Sequence, residues 1–398
     1  MTGAASSPVR FPTTRENRFD PPQVLVRWAQ ETPIRPMTYA DGHEGWLVTG
    51  FATARAVLAD PRFSTRPELM HPPTSPSLID RQRPRRPGSF LRMDPPEHTR
   101  YRRLLTGYFT VRRMKQLEPR IATIAAERLD AMELAGPPTD LVQAFALPIP
   151  SLVICELLGV PYADHLRFQR DSRTLLNLDS TAEEAEAAIA DLTDYLHDLV
   201  LCKRAKPVDD LISGMVASGE LNDEELTGIS VLLLVAGHET TANMIALGTF
   251  ALLSNPSQLA AVRDDPSVTG SAVEELLRYL TIVHLGPVRT ALGDVELDGQ
   301  LIKAGQSVTV SVAAANRDHE RFEDPEILDV TRPPAGHLSF GHGVHQCLGQ
   351  QLARTEMSIA YPALLRRFPD LRLAVPPQEV PMRNHMAVYG VDRLPVTW

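Results

Sequence analysis

Two short stretches of this sequence hold residue types that do chemistry at close spacing. The first, FGHGVHQCLG at 340–349, sets one of the chain's three cysteines among three glycines and two histidines, directly before a helix-like run, QQLARTEMSIAYPALLRRF. A cysteine in that place reads either as a small buried apolar residue or as a thiolate that binds a metal. The second, AGHETT at 236–241, interrupts an apolar run with Glu239 and Thr240. Gly237 weakens a helix by about 1 kcal/mol relative to alanine, and Glu239 is costly to bury unless paired or hydrated. The pattern is either a satisfied polar network, with Thr240 bonded back to a carbonyl one turn earlier, or a small-residue gap for a ligand beside an acid and an alcohol that move protons.

Cationic residues form a further set. In DPPEHTRYRR, His98 and Arg102 lie one helical turn apart, and two donors side by side can grip a carboxylate or a phosphate. EELLR puts Glu275 and Arg278 on one helical face. Arg289, in HLGPVRTAL, opens a candidate strand and reads as exposed.

These residues need elements to hold them. Asn222 reads as an N-cap, with Glu225 three residues on, close to a capping box. The helix it starts runs to about Ser254, before Asn255 and Pro256, roughly 32 residues or about 48 Å. Its apolar middle predicts burial on nearly every face. Helical periodicity dominates from Glu97 to Asn255 and returns after Cys347. Strands are expected around the Asp41–Gly42 turn and again over 288–312, with turns at Asp298–Gly299 and Ala304–Gly305. The fold class is therefore mainly α, of α+β type, as a single domain over 1–398 with residues 1–20 as a flexible N-terminus. Prolines at 67–76 and 84–87 mark a long surface loop.

The chain of 398 residues is 43% hydrophobic and 22% charged, as ordinary globular proteins are. No apolar run approaches the ~20 residues of a membrane span, and the N-terminus lacks the apolar core of a secretory signal, so a cytoplasmic protein is expected. Cys155, Cys202 and Cys347 are odd in number and far apart, which argues against a disulfide framework or a CxxC metal knuckle. The net charge of −9 hides a basic segment: residues 81–120 carry twelve Arg or Lys against three Asp or Glu. Without interleaved aromatics it does not read as a nucleic-acid surface.

Together these motifs resemble the cytochrome P450 family of haem-thiolate monooxygenases. The loop is similar to the family's haem-ligand signature at Phe340, Gly341, Gly343, His345, Cys347 and Gly349. AGHETT is similar to its oxygen-activation segment, and Glu275 and Arg278 to its structural Glu-x-x-Arg. The order of the three agrees, and the resemblance covers about residues 20–398.

The resemblance implies a large helical region with the long helix at its centre, a smaller β-rich region, and haem b between them. Cys347 becomes the axial ligand of the haem iron, a thiolate that favours O–O cleavage. The glycines aim amide hydrogens at its sulfur, the helix behind lowers its pKa, and Phe340 limits water access. His98, Arg102, Arg289 and His345 are implied to hold the haem propionates. Ala236 and Gly237 are implied to leave space for O2 and substrate, Thr240 to steady dioxygen and a water, and Glu239 to relay protons. Where the family often completes its Glu-x-x-Arg network with an arginine, this chain has Ile327 and Leu328, so Arg321 or Arg332 is expected to substitute.

The implied reaction inserts one atom of O2 into a C–H bond and reduces the other to water. Electrons come from NAD(P)H through a separate ferredoxin reductase and ferredoxin, which docks near the basic segment with Arg102, Arg103, Arg112, Arg113 and Lys115. The implied pocket comes from the 67–91 loop, 175–178, Leu233, Val235, Ala236, 283–285 and 386–388. These suit a bulky hydrophobic molecule, a macrolide or other polyketide or a terpenoid or steroid-like compound, in secondary metabolism or xenobiotic oxidation. Stepwise oxidation of a methyl group to carboxyl, as in polyene macrolide tailoring, is the alternative, and a non-catalytic haem-binding sensor or carrier is the alternative of another class. A zinc site from His337, His342, His345 and Cys347 is disfavoured by the missing second cysteine. A monomer is expected.

Overall fold

The computed structural model describes residues 9–74 and 86–398. The parts of the proline-rich loop with Pro76 and Pro84, and residues 81–85 of the basic segment, lie outside the described residues. The chain begins with α1 (Gln23–Glu31), β1 (Ile34–Thr38), β2 (Glu44–Val48), α2 (Phe51–Ala59) and β3 (Phe63–Ser64). Helices follow: α3 (Glu97–Thr106), α4 (Val111–Ala135), then β4 (Thr139–Asp140), α5 (Pro148–Leu158), α6 (His165–Leu176) and α7 (Ala182–Ala205). Next come α8 (Leu211–Ser218), α9 (Asp223–Leu253), α10 (Pro256–Asp264) and α11 (Thr269–Leu280). The strands β5 (Val288–Ala291), β6 (Val295–Leu297), β7 (Gln300–Ile302) and β8 (Ser307–Val310) precede α12 (Val312–Ala315) and α13 (Gln350–Arg367). Two short strands, β9 (Arg372–Leu373) and β10 (Pro395–Thr397), close the chain.

The centre of the helical region is α9. Its capping box is complete: Glu225 N–H donates to Asn222 Oδ1 and Asn222 N–H to Glu225 Oε2, each at 2.9 Å. From there 31 residues run unbroken, about 46 Å. The helix packs on α5, α7 and α13, and the principal apolar core surrounds it. Among the described residues it is the one helix long and apolar enough to cross a membrane, yet 72% of its apolar window is buried inside the protein. Its crossing with α13 is close because Gly248 has no side chain. A Cβ there would stand 2.1 Å from the Tyr361 hydroxyl, which donates to Met244 O at 2.6 Å.

The two strand-rich ends of the sequence form one five-stranded sheet, in the order β1-β2-β8-β5-β3. β1 and β2 pair antiparallel across the Asp41–Gly42 turn, β2 and β8 pair parallel, and β5 pairs antiparallel with both β8 and β3. The N-terminal segment departs from the expected flexible tail over 1–20. Within residues 9–20, Phe11 is buried, Phe19 packs edge-on against Phe250, and Arg15 stacks 3.8 Å over the Tyr389 ring. Two aromatic side chains with apolar partners are enough to tie such a strap down.

The Glu275–Arg278 pair is buried, each 3% exposed. Arg278 Nε and Nη2 meet the carboxylate at 2.7 Å each, and its Nη1 donates to the carbonyls of Asn316 and Pro325 at 2.9 Å. Arg332 is the third member, with Nε at 3.2 Å from Glu275 Oε1. Arg321, the other candidate, lies over the rings of Phe51 and Phe322. Removing one partner strands a buried charge. Arg278→Ala should therefore cost about 3–5 kcal/mol, and Arg332→Ala, which leaves the two-point pair intact, clearly less. Equilibrium denaturation of the two variants checks the order, and equal losses would contradict it.

Candidate active site

The Cys347 loop is a set of tight turns pinned against its surroundings. Gly341 N–H donates to Leu338 O at 2.7 Å, Gln346 N–H to Gly343 O at 3.0 Å, and Cys347 N–H to Phe340 O at 2.8 Å. Gly341 and Gly343 sit at φ +70° and +73°, where side chains are strained. At Gly343 there is also no room: a Cβ would lie 2.5 Å from the Leu58 carbonyl oxygen of α2. α13 starts at Gln350, just past the cysteine. Burial pushes the Cys347 thiol up, opposed by the N–H of Gly349, by Arg102 and Arg354, and by the N–H of Gln350. N–H groups and guanidiniums thus surround a sulfur on a residue that the fold leaves accessible. Cys155 differs: it is buried in α5, and desolvation pushes its thiol up to about 12.

Phe340 lies beneath Arg354, whose guanidinium is 4.5 Å from the ring centre. Arg354 reaches Glu274 on α11 at 2.6 and 3.1 Å, and His337 Nε2 stands 3.2 Å from the same carboxylate. Burial alone would raise Glu274, but His337 and Arg354 hold it down at about 2.

Four cationic or protonatable side chains gather on one side of the cysteine. His98 is 2% exposed, and neither of its ring nitrogens has a partner. Its ring centre is 4.2 Å from that of His345. Arg289, expected to be exposed, is 7% exposed because β5 lies inside the sheet, paired with Val308 of β8. Its Nη1 donates to the Val288 carbonyl at 2.9 Å. Burial lowers all four: Arg289 to about 10, His345 to about 3, and His98 and Arg102 in the same direction. The nearby carboxylate, Asp94, is engaged by Ser64, Thr65 and Arg66. Two imidazoles and two guanidiniums with hydrogen-bonding capacity to spare fit a ligand bearing two carboxylates, as haem does. Around Gly349, beside the cysteine, a Cβ would meet nothing within 4 Å, so the backbone leaves a flat group room to approach. The residues fit haem.

The centre of α9 carries both features that its sequence suggested. Thr240 Oγ1 donates to Ala236 O at 2.9 Å, the back-bond one turn earlier. Glu239 is buried and paired, with Oε2 3.0 Å from Arg383 Nη1. Gly237 differs from expectation. A Cβ there would be 2.8 Å from Ile154 Cδ1, so the missing side chain lets α9 pack on α5 rather than opening space for O2. Arg383 was not among the sequence candidates. It lies 144 residues from Glu239, and no local pattern links the two.

A cleft of about 550 Å³ opens along α9, with Val231, Leu232, Val235, Leu175 and Ile189 in its wall and Arg86 at its side; Ala236 is not part of its lining. Leu233 instead belongs to the buried core. The other expected pocket segments do meet, through bridges between Asn177 and Met386 and between Val283 and Val388. Among the described residues no group of three or more His, Cys, Asp or Glu gathers to hold a metal ion, so the histidines near Cys347 make no zinc site.

The fold and the residues around this loop fit a haem-binding oxidoreductase, and comparison with known proteins bears on that class. The family model "Cytochrome P450" matches residues 177–391. Cytochrome P450 105C1 of a Streptomyces species is 52% identical over the whole of both chains. Cytochrome P450-SU2 of Streptomyces griseolus is 50% identical over 96% of this chain and 94% of that one. The crystal structure of CYP105P1 in complex with filipin I is 45% identical, with a TM-score of 0.93 over 98% of this chain and 99% of that one. The chain belongs to the cytochrome P450 family and is a monooxygenase that uses haem b and O2.

Two outcomes follow from the loop's geometry. Gly343→Ala should be worse than Gly341→Ala, because both have positive φ but only the first collides with backbone. Strain alone costs about 1–2 kcal/mol, and haem retention on unfolding should fall further for Gly343→Ala. Glu274, depressed in the fold, stabilises above its ordinary value of 4.5 and loses that contribution as pH falls toward 2. Glu274→Gln should therefore lower stability at neutral pH and flatten the decline between about pH 4.5 and 2. Denaturation at stepped pH reads both, and an unchanged acid limb would contradict the assignment.

Proposed function

We propose that Cys347 is the axial thiolate ligand of the haem iron and that His98, Arg102, Arg289 and His345 hold the two propionates. The observation that carries this reading is the convergence of those four side chains, short of carboxylate partners, on one side of a sulfur faced by two backbone N–H groups. Bound haem supplies O2 activation and insertion of one oxygen atom into a C–H bond. The chain's own residues bind and orient it, shield the sulfur with Phe340, and deliver protons through Glu239 and Thr240. A thiol raised by burial is deprotonated when it binds a metal cation.

The substrate is a bulky hydrophobic molecule, of macrolide, other polyketide, terpenoid or steroid-like type. The apolar wall of the 550 Å³ cleft supports this, as does the filipin I held by a solved relative. Its electron donor is a ferredoxin. Much of the basic segment is already engaged within the chain: Arg100 pairs with Glu225, Arg103 with Glu220, and Arg120 with Glu156. Among the described residues of the segment, Arg112, Arg113 and Lys115, exposed where α4 begins, form the docking surface.

The absorption spectrum of reduced protein under carbon monoxide tests the ligand. Wild type should give the strongly red-shifted Soret band of a thiolate, and Cys347→His should give the band of histidine ligation. The same band in both would remove Cys347 from the iron. Thr240→Ala should divert reducing equivalents to peroxide by about tenfold or more. Unaltered coupling would favour a different proton route. Reversing Arg112, Arg113 and Lys115 should slow reduction by ferredoxin, most at low salt, and equal rates would exclude that surface.

A further inference from the structure

One carboxylate stands among the groups assigned to the propionates. Asp94 lies just before α3, and its carbonyl accepts the His98 N–H at 3.0 Å. Its side chain turns to the end of β3. Oδ2 accepts from Ser64 Oγ at 2.6 Å and lies 3.4 Å from Arg66 Nε, and Oδ1 accepts the Thr65 N–H at 2.8 Å. β3 in turn pairs with β5, Ser64 opposite Thr290, and β5 carries Arg289. Thr65 Oγ1 completes the connection: it lies 3.0 Å from Met93 O, 3.2 Å from Asp94 Oδ1 and 3.4 Å from His345 Nε2. Asp94 thus joins the three elements that hold the cationic cluster: α3 with His98 and Arg102, β5 with Arg289, and the cysteine loop with His345.

Joining those elements does not require its charge. An asparagine in the same place can accept the Thr65 N–H through Oδ1 and donate to Ser64 Oγ through Nδ2. A carboxylate beside a site for two further carboxylates also repels them. The charge is nonetheless built in, because Ser64 Oγ, the Thr65 N–H and Arg66 Nε converge on it. It is felt inside the cluster as well. Burial lowers His98, Arg289 and His345, and Asp94 pulls each of them the other way. The Asp94 side chain is 22% exposed, so solvent screens it only in part.

We infer that Asp94 is a positioning residue for the four propionate-binding side chains and a fixed negative charge that lowers the reduction potential of the haem iron. The inference rests on the propionate assignment. The couple concerned is the one-electron reduction of ferric to ferrous iron by ferredoxin, and Asp94 exchanges neither an electron nor a proton in it. A negative charge nearby favours the oxidised, more positive iron, and the protein interior screens that interaction weakly. Arg66, 36% exposed on the far side of the carboxylate, has the opposite charge and offsets part of the field.

Potentiometric titration of the haem-loaded enzyme without substrate reads the charge. Asp94→Asn, which keeps the hydrogen bonds and drops the charge, should move the midpoint to more positive values. Arg66→Gln, which leaves Asp94 without its counter-charge, should move it to more negative values. That partly exposed position keeps the test available if Asp94→Asn does not fold. Midpoints equal to wild type in the variants that fold would overturn the inference. Haem transfer to apomyoglobin reads the positioning. Asp94→Asn should release haem several-fold more slowly than wild type, because the propionates are no longer repelled, and Asp94→Ala, which loses the hydrogen bonds too, faster than Asp94→Asn. Equal release from the two would remove the positioning role. Arg289→Gln, measured alongside, separates the two readings. It should release haem faster than wild type. If it does so while the Asp94→Asn midpoint stays in place, only the inference on Asp94 fails; if it releases haem at the wild-type rate, the propionate assignment fails.

Discussion

Two adjacent carboxylates on α11 hold the loop that carries Cys347, and the geometry around the sulfur depends on them. Glu274 takes Arg354 of α13 in a two-point pair, and Arg354 covers Phe340 at the loop's beginning. Glu275 takes Arg278 and Arg332, and also accepts the Asp329 N–H at 3.1 Å, which fixes the segment leading into the loop. Consecutive residues on a helix point about 100° apart, so one short stretch of α11 reaches both flanks. A buried ion pair is weak evidence for net stability. Its use here is to define one arrangement of chain segments far apart in sequence, and the loop inherits that arrangement.

The cationic cluster beside the loop has the opposite balance. His98, Arg102, Arg289 and His345 are drawn from α3, β5 and the loop itself, and burial disfavours the charged form of each. Asp94 relieves only part of that cost at His98, Arg289 and His345, and its own contacts are with Ser64, Thr65 and Arg66. A dicarboxylate cofactor would relieve it. Anything that binds the folded state alone stabilises it by mass action, so a ligand held by all four side chains would stabilise the arrangement that brings α3, β5 and the loop together. The close approach of the His98 and His345 rings expresses the same coupling.

What was legible in the sequence was local. The capping box at Asn222 and Glu225 and the stop at Ser254 depend on residues a few positions apart, and α9 has those bounds. The turn glycines of the cysteine loop and the Glu275–Arg278 spacing are equally short-range. What was not legible came from distant partners. Arg289 read as exposed because nothing near it in sequence announces that β8 will cover its strand. Gly237 read as an opening because Ile154, which fills that side, belongs to another helix. Arg383 gave no signal at all. The basic segment looked like a free patch, yet Arg100, Arg103 and Arg120 spend their charge on carboxylates supplied by later elements.

The helix also explains how an acid and an alcohol can sit side by side and face different surroundings. Glu224, Gly228, Val231, Val235, Glu239, Ala242 and Ala246 follow the three-and-four spacing of a single stripe, and two clefts, the one of 550 Å³ and a second that Glu239 lines, lie along it in series. Thr240 is one residue on from Glu239 and so points about 100° away from that stripe, on the side shared with Ala236. The carboxylate on the stripe and its neighbour's hydroxyl thus face different sides of the helix. A proton passing between them crosses only the width of one helix. Thr240 Oγ1 donates to the Ala236 carbonyl and Asn243 Nδ2 to the Glu239 carbonyl, so both side chains bond back within the helix.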